Sequence, residues 1–248
     1  MILTYRPTAP GDRCSKANLW SSRPRRFTLE VRAEGSDMSD EIVFYTNPMS
    51  RGRIVRWMLE EVGRPYRTEV LDYGTTMKAP AYLSINPMGK VPAVSWRGVV
   101  VTECAAICAW LADACPEAGL APAFDDPARG TWLRWLFFAA GPVEAAVTAK
   151  SLGLLAPADK ARQAGYGSFE AMVDTLESAV DDGPYILGDT FSAADVYVGS
   201  QIGWGLMFKT LPERPAFRAY VDRISTREAA VRARALDDAL IAAAQSAE

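Results

Sequence analysis

The order in which short β-favouring runs alternate with helical repeats constrains this chain more than any other feature. Glu41 to Thr46 is a short apolar run read as a strand, and Asn47-Pro48 breaks it. From Ser50 the pattern turns helical. Ile54, Val55, Met58, Leu59 and Val62 recur on one stripe, while Arg53, Arg56, Glu60 and Glu61 lie mostly elsewhere. Gly63 stops that helix and Pro65 follows. Tyr66 to Leu71 reads as a second strand and 77–84 as a short helix. Asn86-Pro87-Met88-Gly89-Lys90-Val91-Pro92 is a turn into a third strand. Trp96-Arg97-Gly98-Val99 then predicts a tight hairpin into Val99–Thr102. Glu103 to Cys115 is again helical and largely apolar. The result is β-α-β-α-β-β-α, too short and too hairpin-ended for a doubly wound dinucleotide fold. No G-x-G-x-x-G follows the first strand.

A linker rich in Ala, Pro and Asp at 119–128 separates this α/β part, 40–118, from a second part, 129–245, that is helical throughout. Thr131 to Ala140 carries Trp132, Trp135, Phe137 and Phe138, and Gly141-Pro142 is expected to kink or break the helix. Phe169 to Val180 is a clean amphipathic helix. In Phe191-Ser192-Ala193-Ala194-Asp195-Val196, Ser192 caps a helix from about 193 to 208. Asp195 reaches back to the cap N–H, and Phe191 and Val196 stand at staple positions.

Composition excludes several chemistries. The chain has no histidine, so it cannot build a Ser-His-Asp triad, a Cys-His dyad or a His-ligated metal site on its own. The net charge of −3 gives no global field for nucleic acid, and no apolar run approaches the length of a membrane span. Of the four cysteines, Cys14, Cys104, Cys108 and Cys115, none forms a C-x-x-C pair. Cys104 and Cys108 stack one turn apart on a helix, and small buried thiols of this kind fit a reducing, cytoplasmic setting. Residues 1–37 do not match the rest: seven Lys or Arg stand against four Asp or Glu, without sustained periodicity. They read as a disordered extension, an organellar targeting peptide or translated upstream sequence, and the last, with Met38 as the start, is favoured.

Four features occur in register: the strand-turn-helix start, Asn86-Pro-x-Gly-Lys-Val-Pro92, Thr102-Glu103-Cys104-x-x-Ile107, and the late Phe191-Ser-x-x-Asp195 box. Together, over about 40–240, they resemble the cytosolic glutathione transferases, in particular serine-type, theta-like bacterial members. The resemblance implies a thioredoxin-like N-terminal domain, an all-α helical-bundle C-terminal domain, glutathione as co-substrate, a small-molecule electrophile, a detoxifying role and a homodimer. It also implies where glutathione binds. Lys90, Val91 and Pro92 form the binding turn: Val91 pairs through its backbone with the cysteinyl part, beside a cis Pro92. Glu103 receives the γ-glutamyl amine, and position 104 the γ-glutamyl carboxylate at a helix N-terminus, which favours an anion whatever the side chain. Cys104 departs from the family's usual serine and is a weaker donor.

A thiol near pKa 8.5 must be drawn to thiolate, and a hydroxyl with a helix N-terminus does this without histidine. The resemblance puts the activator near the end of the first strand. Counting back from Gly63 places Ser50 at the serine-type position and Arg51 at that of cysteine-type members. Ser50 is also a natural helix cap. Tyr45 is the second candidate activator and Asn47 the third; Arg51 and Arg53 are candidates to add positive potential. Trp135, Phe138 and Tyr166 are expected as walls of the electrophile pocket. Two other roles stay open: reduction of disulfides or peroxides with glutathione, and a binding module without turnover.

Overall fold

The computed structural model describes residues 40–246. The expectations for 1–37, for Met38 as a start and for Cys14 lie outside the described residues. Strand β1 (Ile42–Thr46) leads into α1 (Gly52–Val62). Strand β2 (Tyr66–Val70), a 3₁₀ turn at Thr76–Lys78 and the short α2 (Pro80–Leu83) follow. Then come β3 (Ala93–Trp96), β4 (Val99–Thr102) and α3 (Cys104–Ala114). The strands form one sheet in the order β2-β1-β3-β4. β2 is parallel to β1, and β3 and β4 are antiparallel to their neighbours. This is the thioredoxin-like arrangement that the resemblance implied.

Local chemistry explains the boundaries. Gly63 closes α1 in the left-handed region at φ 73°, its N–H returning to the Leu59 carbonyl. Arg97 and Gly98 both take positive φ, 50° and 76°, as a two-residue hairpin turn with the twist of its strands requires. The expected 77–84 helix is split, because Pro80 starts a fresh turn at the first helical position.

The second part holds α4 (Ala128–Phe138), α5 (Glu144–Ser151), α6 (Phe169–Ser178), α7 (Ala193–Met207), α8 (Pro215–Ser225) and α9 (Glu228–Gln245). Gly141-Pro142 does not break the chain direction as expected. Residues Ala139–Val143 widen into a π-helical turn that carries α4 into α5. A wider turn removes the need for the N–H that proline lacks.

One hydrophobic core runs from Phe44 and Ile54 through Ile107 and Trp132 to Val198 and Tyr220. Helix α1 packs against α3, α7 and α9. Arg56, off the apolar stripe of α1, is nevertheless 2% exposed. Its Nε donates to Asp237 Oδ1 of α9 at 2.7 Å, and its guanidinium lies 5.1 Å from the Phe44 ring centre. Helical periodicity alone could not show that a partner 181 positions away neutralises it.

The predicted cap is present. Asp195, wholly buried, accepts from Ser192 N at 2.8 Å, Ser192 Oγ at 3.0 Å, Ile186 N at 2.8 Å and the Tyr220 hydroxyl at 2.8 Å. Asp195→Ala leaves those donors buried and unmatched, and we expect a loss of about 3–4 kcal/mol of stability in urea unfolding. A loss below about 1 kcal/mol would mean that water replaces the carboxylate at this point.

Candidate active site at two helix N-termini

The β1–α1 connection is built by its own polar side chains. Asn47 Oδ1 accepts from Met49 N at 3.0 Å, and Asn47 Nδ2 donates to the Leu71 carbonyl at 2.8 Å, tying the turn to the end of β2. Ser50, 8% exposed, donates from Oγ to the Asn47 carbonyl at 2.6 Å and accepts from Gly52 N at 2.9 Å. Ser50 therefore ties down the first residue of α1, but it stands one position before the cap, which is Arg51 and carries no side-chain cap bond, so the expected cap is not formed. Gly52 is required here. A Cβ on it would stand 1.9 Å from Thr46 Oγ1, so only glycine lets the helix start this close to the strand.

Tyr45 lies elsewhere. Strand side chains alternate between faces. Phe44 enters the core beneath α1, whereas Tyr45 packs with Met77, Tyr82 and Ala93 on the other face, its ring centre 5.6 Å from that of Tyr82. Asn47 is spent on the turn.

The Lys90-Val91-Pro92 segment is held from beneath. The Lys90 carbonyl accepts from the Tyr82 hydroxyl at 2.6 Å and from Asn86 Nδ2 at 2.7 Å, and Lys78 Nζ donates to the Gly89 carbonyl at 2.7 Å. The Val91–Pro92 bond is cis, as the resemblance implied.

Glu103 stands at the junction of β4 and α3 with φ 68° and ψ 119°, a region an L-residue rarely enters. Such strain is of order 1–3 kcal/mol and persists only where the surroundings fix it. It leaves the Glu103 side chain exposed at the start of α3, whose first N–H groups have no acceptor within the helix. Cys104 turns inward instead: its Sγ donates to the Arg51 carbonyl at 3.6 Å. Its thiol therefore reinforces the frame of the site, and the backbone of α3 is left to meet an anion. The same contact sets the N-terminus of α3 beside that of α1.

The two arginines thought to add positive potential are both matched by acids. Arg51 pairs with Glu144, which also accepts from Gln201 Nε2 at 3.3 Å, and Arg53 pairs with Asp238. The start of α1 therefore presents the Ser50 hydroxyl and the helix end rather than free charge.

The expected aromatic walls are not where a ligand would enter. Trp135 is buried, with Phe138 edge-on at 5.4 Å, and the Tyr166 hydroxyl accepts from Ala156 N at 2.8 Å. A cavity of about 640 Å³ instead opens beside the β1–α1 turn, between α1, α7, α8 and α9. Met49, Trp57, Trp204, Met207, Phe208 and Ile241 supply its apolar lining. The pattern of the sequence held no signal for it, since its walls come from opposite ends of the chain.

Burial pushes the Cys104 thiol up to about 12. A raised value means the thiolate is scarce at every pH below it, so alkylation stays slow until the pH nears that value. With iodoacetamide at pH 8.5, we expect Cys104 to react at least ~100-fold more slowly in the folded protein than after unfolding, read by peptide mass. Equal rates would show the thiol facing solvent.

The comparisons agree with this geometry. The family model described as the glutathione S-transferase N-terminal domain matches residues 49–114, and the one for the C-terminal domain matches 159–223. Glutathione S-transferase GST-4.5 of Xanthomonas campestris is 30% identical over 158 residues, covering 61% of this chain and 74% of that protein. A solved glutathione transferase from Methylococcus capsulatus is 28% identical with a TM-score of 0.66, over 79% of this chain and 98% of that one. A homologue from Sulfitobacter, solved with bound glutathione, is 28% identical with a TM-score of 0.62, over 78% and 96%. With its mixed four-stranded sheet, its helical second part and both domain signatures in place, the chain belongs to the glutathione S-transferase family.

Proposed function

We propose that the protein is a glutathione S-transferase that binds glutathione across the N-termini of α1 and α3 and directs its sulfur at an electrophile in the adjacent apolar cavity. The observation that carries this reading is the Cys104 Sγ contact to the Arg51 carbonyl, which joins those two helix ends. Glutathione needs both: an anion site for its γ-glutamyl carboxylate and a hydroxyl donor for its sulfur. The backbone at Cys104 takes the carboxylate and Glu103 the amine. Lys90, Val91 and Pro92 form the turn where the cysteinyl backbone pairs with Val91.

Ser50 is the activator that the geometry favours over Tyr45. Its oxygen already accepts from Gly52 N, which polarises the O–H and makes it a better donor. When the sulfur arrives, that O–H turns from the Asn47 carbonyl to the thiolate while the Gly52 bond stays. The thiol proton passes to solvent. The thiolate then forms the new carbon–sulfur bond, and the leaving group departs with its electron pair.

A homodimer and a reducing, cytoplasmic setting fit the same reading. Phe124 and Phe137 are 82% and 72% exposed, apolar rings that a second subunit could cover. Cys104, Cys108 and Cys115 are free thiols. Among the described residues no helix is long and apolar enough to cross a membrane.

The test is glutathione titration calorimetry followed by conjugation of 1-chloro-2,4-dinitrobenzene. Ser50→Ala should keep glutathione affinity within a few-fold and lower kcat/KM by ~10–100-fold, as expected for losing one hydrogen bond to a charged transition state. Unchanged kcat/KM removes Ser50 as activator. No glutathione binding at millimolar ligand by the folded protein removes the enzyme reading.

A further inference from the structure

One ion pair stands at the edge of both proposed binding regions. Arg51 follows Ser50 directly, and its carbonyl accepts from Cys104 Sγ at 3.6 Å. Its guanidinium lies 6.0 Å from the centre of the Trp204 ring, which lines the cavity. The acid that matches it, Glu144, comes from the helical part of the chain. Ala139–Val143 form the π-helical turn, and Glu144 is the first residue after it. Turns of this kind are rare and recur at functional positions. Here the turn absorbs Pro142 and brings a carboxylate to the start of α1.

That carboxylate is held from two sides. Arg51 Nη2 donates to Oε1, and Gln201 Nε2 donates to Oε2 at 3.3 Å. Gln201 is 7% exposed and is itself anchored, donating to the Tyr197 hydroxyl oxygen at 3.2 Å. An amide adds no charge, so Arg51 and Glu144 are left to balance each other. Both charges reach the junction of α1 and α3. Against the burial that raises the Cys104 thiol, Arg51 pulls its pKa down, while Glu103 and Glu144 push it up.

The other ionisable groups around this corner are matched, neutral or engaged. On α1, Arg53 meets Asp238 of α9, and Arg56 meets Asp237. On α3, burial keeps Cys104 and Cys108 protonated, and exposed Glu103 takes the glutathione amine in the reading above. On α7, burial keeps the Tyr197 hydroxyl protonated. Lys150 of α5 lies over the Phe169 ring at 4.0 Å, Tyr45 packs on the other face of the sheet, and Lys90 is exposed on the turn before Pro92.

We propose that Glu144 is a positioning residue that sets the ionisation of bound glutathione by holding Arg51 in place and balancing its charge. The proposal rests on reading Ser50 and the two helix ends as the glutathione site. Glu144 acts through Arg51 and touches no substrate. The balance has a chemical use, because a thiolate loses nucleophilicity as its pKa falls. An unmatched guanidinium would ionise the thiol more fully and leave a weaker nucleophile.

The experiment is a pH titration of glutathione bound to the full chain, followed by the ultraviolet absorbance of the thiolate at low ionic strength. Conjugation of 1-chloro-2,4-dinitrobenzene is measured over the same pH range. In Glu144→Gln the uncancelled positive charge favours the thiolate. The pKa of the bound thiol should therefore fall by at least ~0.5 unit, and the alkaline plateau of kcat by ~1.5–2-fold. Arg51→Gln leaves the carboxylate unmatched and should raise the pKa by a similar amount. The double variant should return to within ~0.3 unit of wild type. A charge effect at a partly exposed pair is screened, so the Glu144→Gln shift should shrink in ~0.5 M salt. An unchanged or raised pKa in Glu144→Gln, a shift that salt leaves untouched, or a double variant that keeps the single variant's shift overturns the proposal. Should Glu144→Gln fail to fold, Arg51→Gln gives the second reading, and an unchanged or lowered pKa there overturns the proposal. Wild-type protein separates the two levels. If it binds no glutathione, the glutathione reading falls and the proposal with it. If it binds and ionises glutathione while position 144 has no effect on the pKa, the proposal alone falls.

Discussion

The rest of the molecule is organised around the buried Asp195 carboxylate. Four donors from three segments converge on it: the α7 cap, the Ile186 backbone and the Tyr220 hydroxyl of α8. A buried charge is costly unless its lone pairs are filled, and here they are. The result is a fixed start and direction for α7, which then packs against α1, α3, α4 and α8. The N-termini of α1 and α3 form the proposed glutathione site, and the C-terminal half of α7 supplies Trp204 and Met207 to the cavity, with Phe208 just beyond its end. A capping contact thus sets the geometry of a site formed by other residues.

The local features were readable in the sequence because their causes are local. Gly63 as a helix stop, Arg97-Gly98 as a hairpin and Ser192 with Asp195 as a cap each depend on residues within a few positions. Ser50 stands one position off its reading as a cap: it bonds Gly52 N, while the cap position itself is Arg51. What escaped depends on distant partners or on which way a side chain turns. Arg56 lies off the apolar stripe of α1, yet it is buried against Asp237. Trp135 and Phe138 announce an aromatic cluster without saying which face is buried, and they belong to the core while Trp204 and Phe208 line the cavity. Nothing in the Thr102-Glu103-Cys104 motif shows that the thiol points back to Arg51. Pro142 reads as a breaker, and only the surrounding helix can absorb it as a π turn.

Helix α1 carries Arg51 at its N-terminal edge, with Arg53 and Arg56 within it, and each meets an acid from the helical part: Glu144, Asp238 and Asp237. These pairs differ in weight. Those of Arg51 and Arg53 are partly exposed and contribute at most about 1 kcal/mol each. The Arg56–Asp237 pair is dry, and its worth lies mainly in the penalty for removing one partner, of order 3–5 kcal/mol. The pairing has a further effect. It cancels the positive charge that would otherwise surround the start of α1.

That cancellation explains the shape of the proposed chemistry. With its arginines neutralised and no histidine in the chain, the start of α1 can offer a thiol only a hydroxyl and oriented backbone dipoles. These act over a short range, so the sulfur must be placed accurately by the rest of glutathione. The fold puts rigidity where that placement is needed. The turn before Pro92 is tied at the Lys90 carbonyl by two side chains, Glu103 is held in a strained backbone conformation at the head of α3, and Cys104 locks that head to α1. A free cation near the sulfur would relax this demand by acting at longer range, but it would stabilise bound thiolate and loosely placed thiolate alike. Short-range donors on a rigid frame favour only the sulfur that arrives in position.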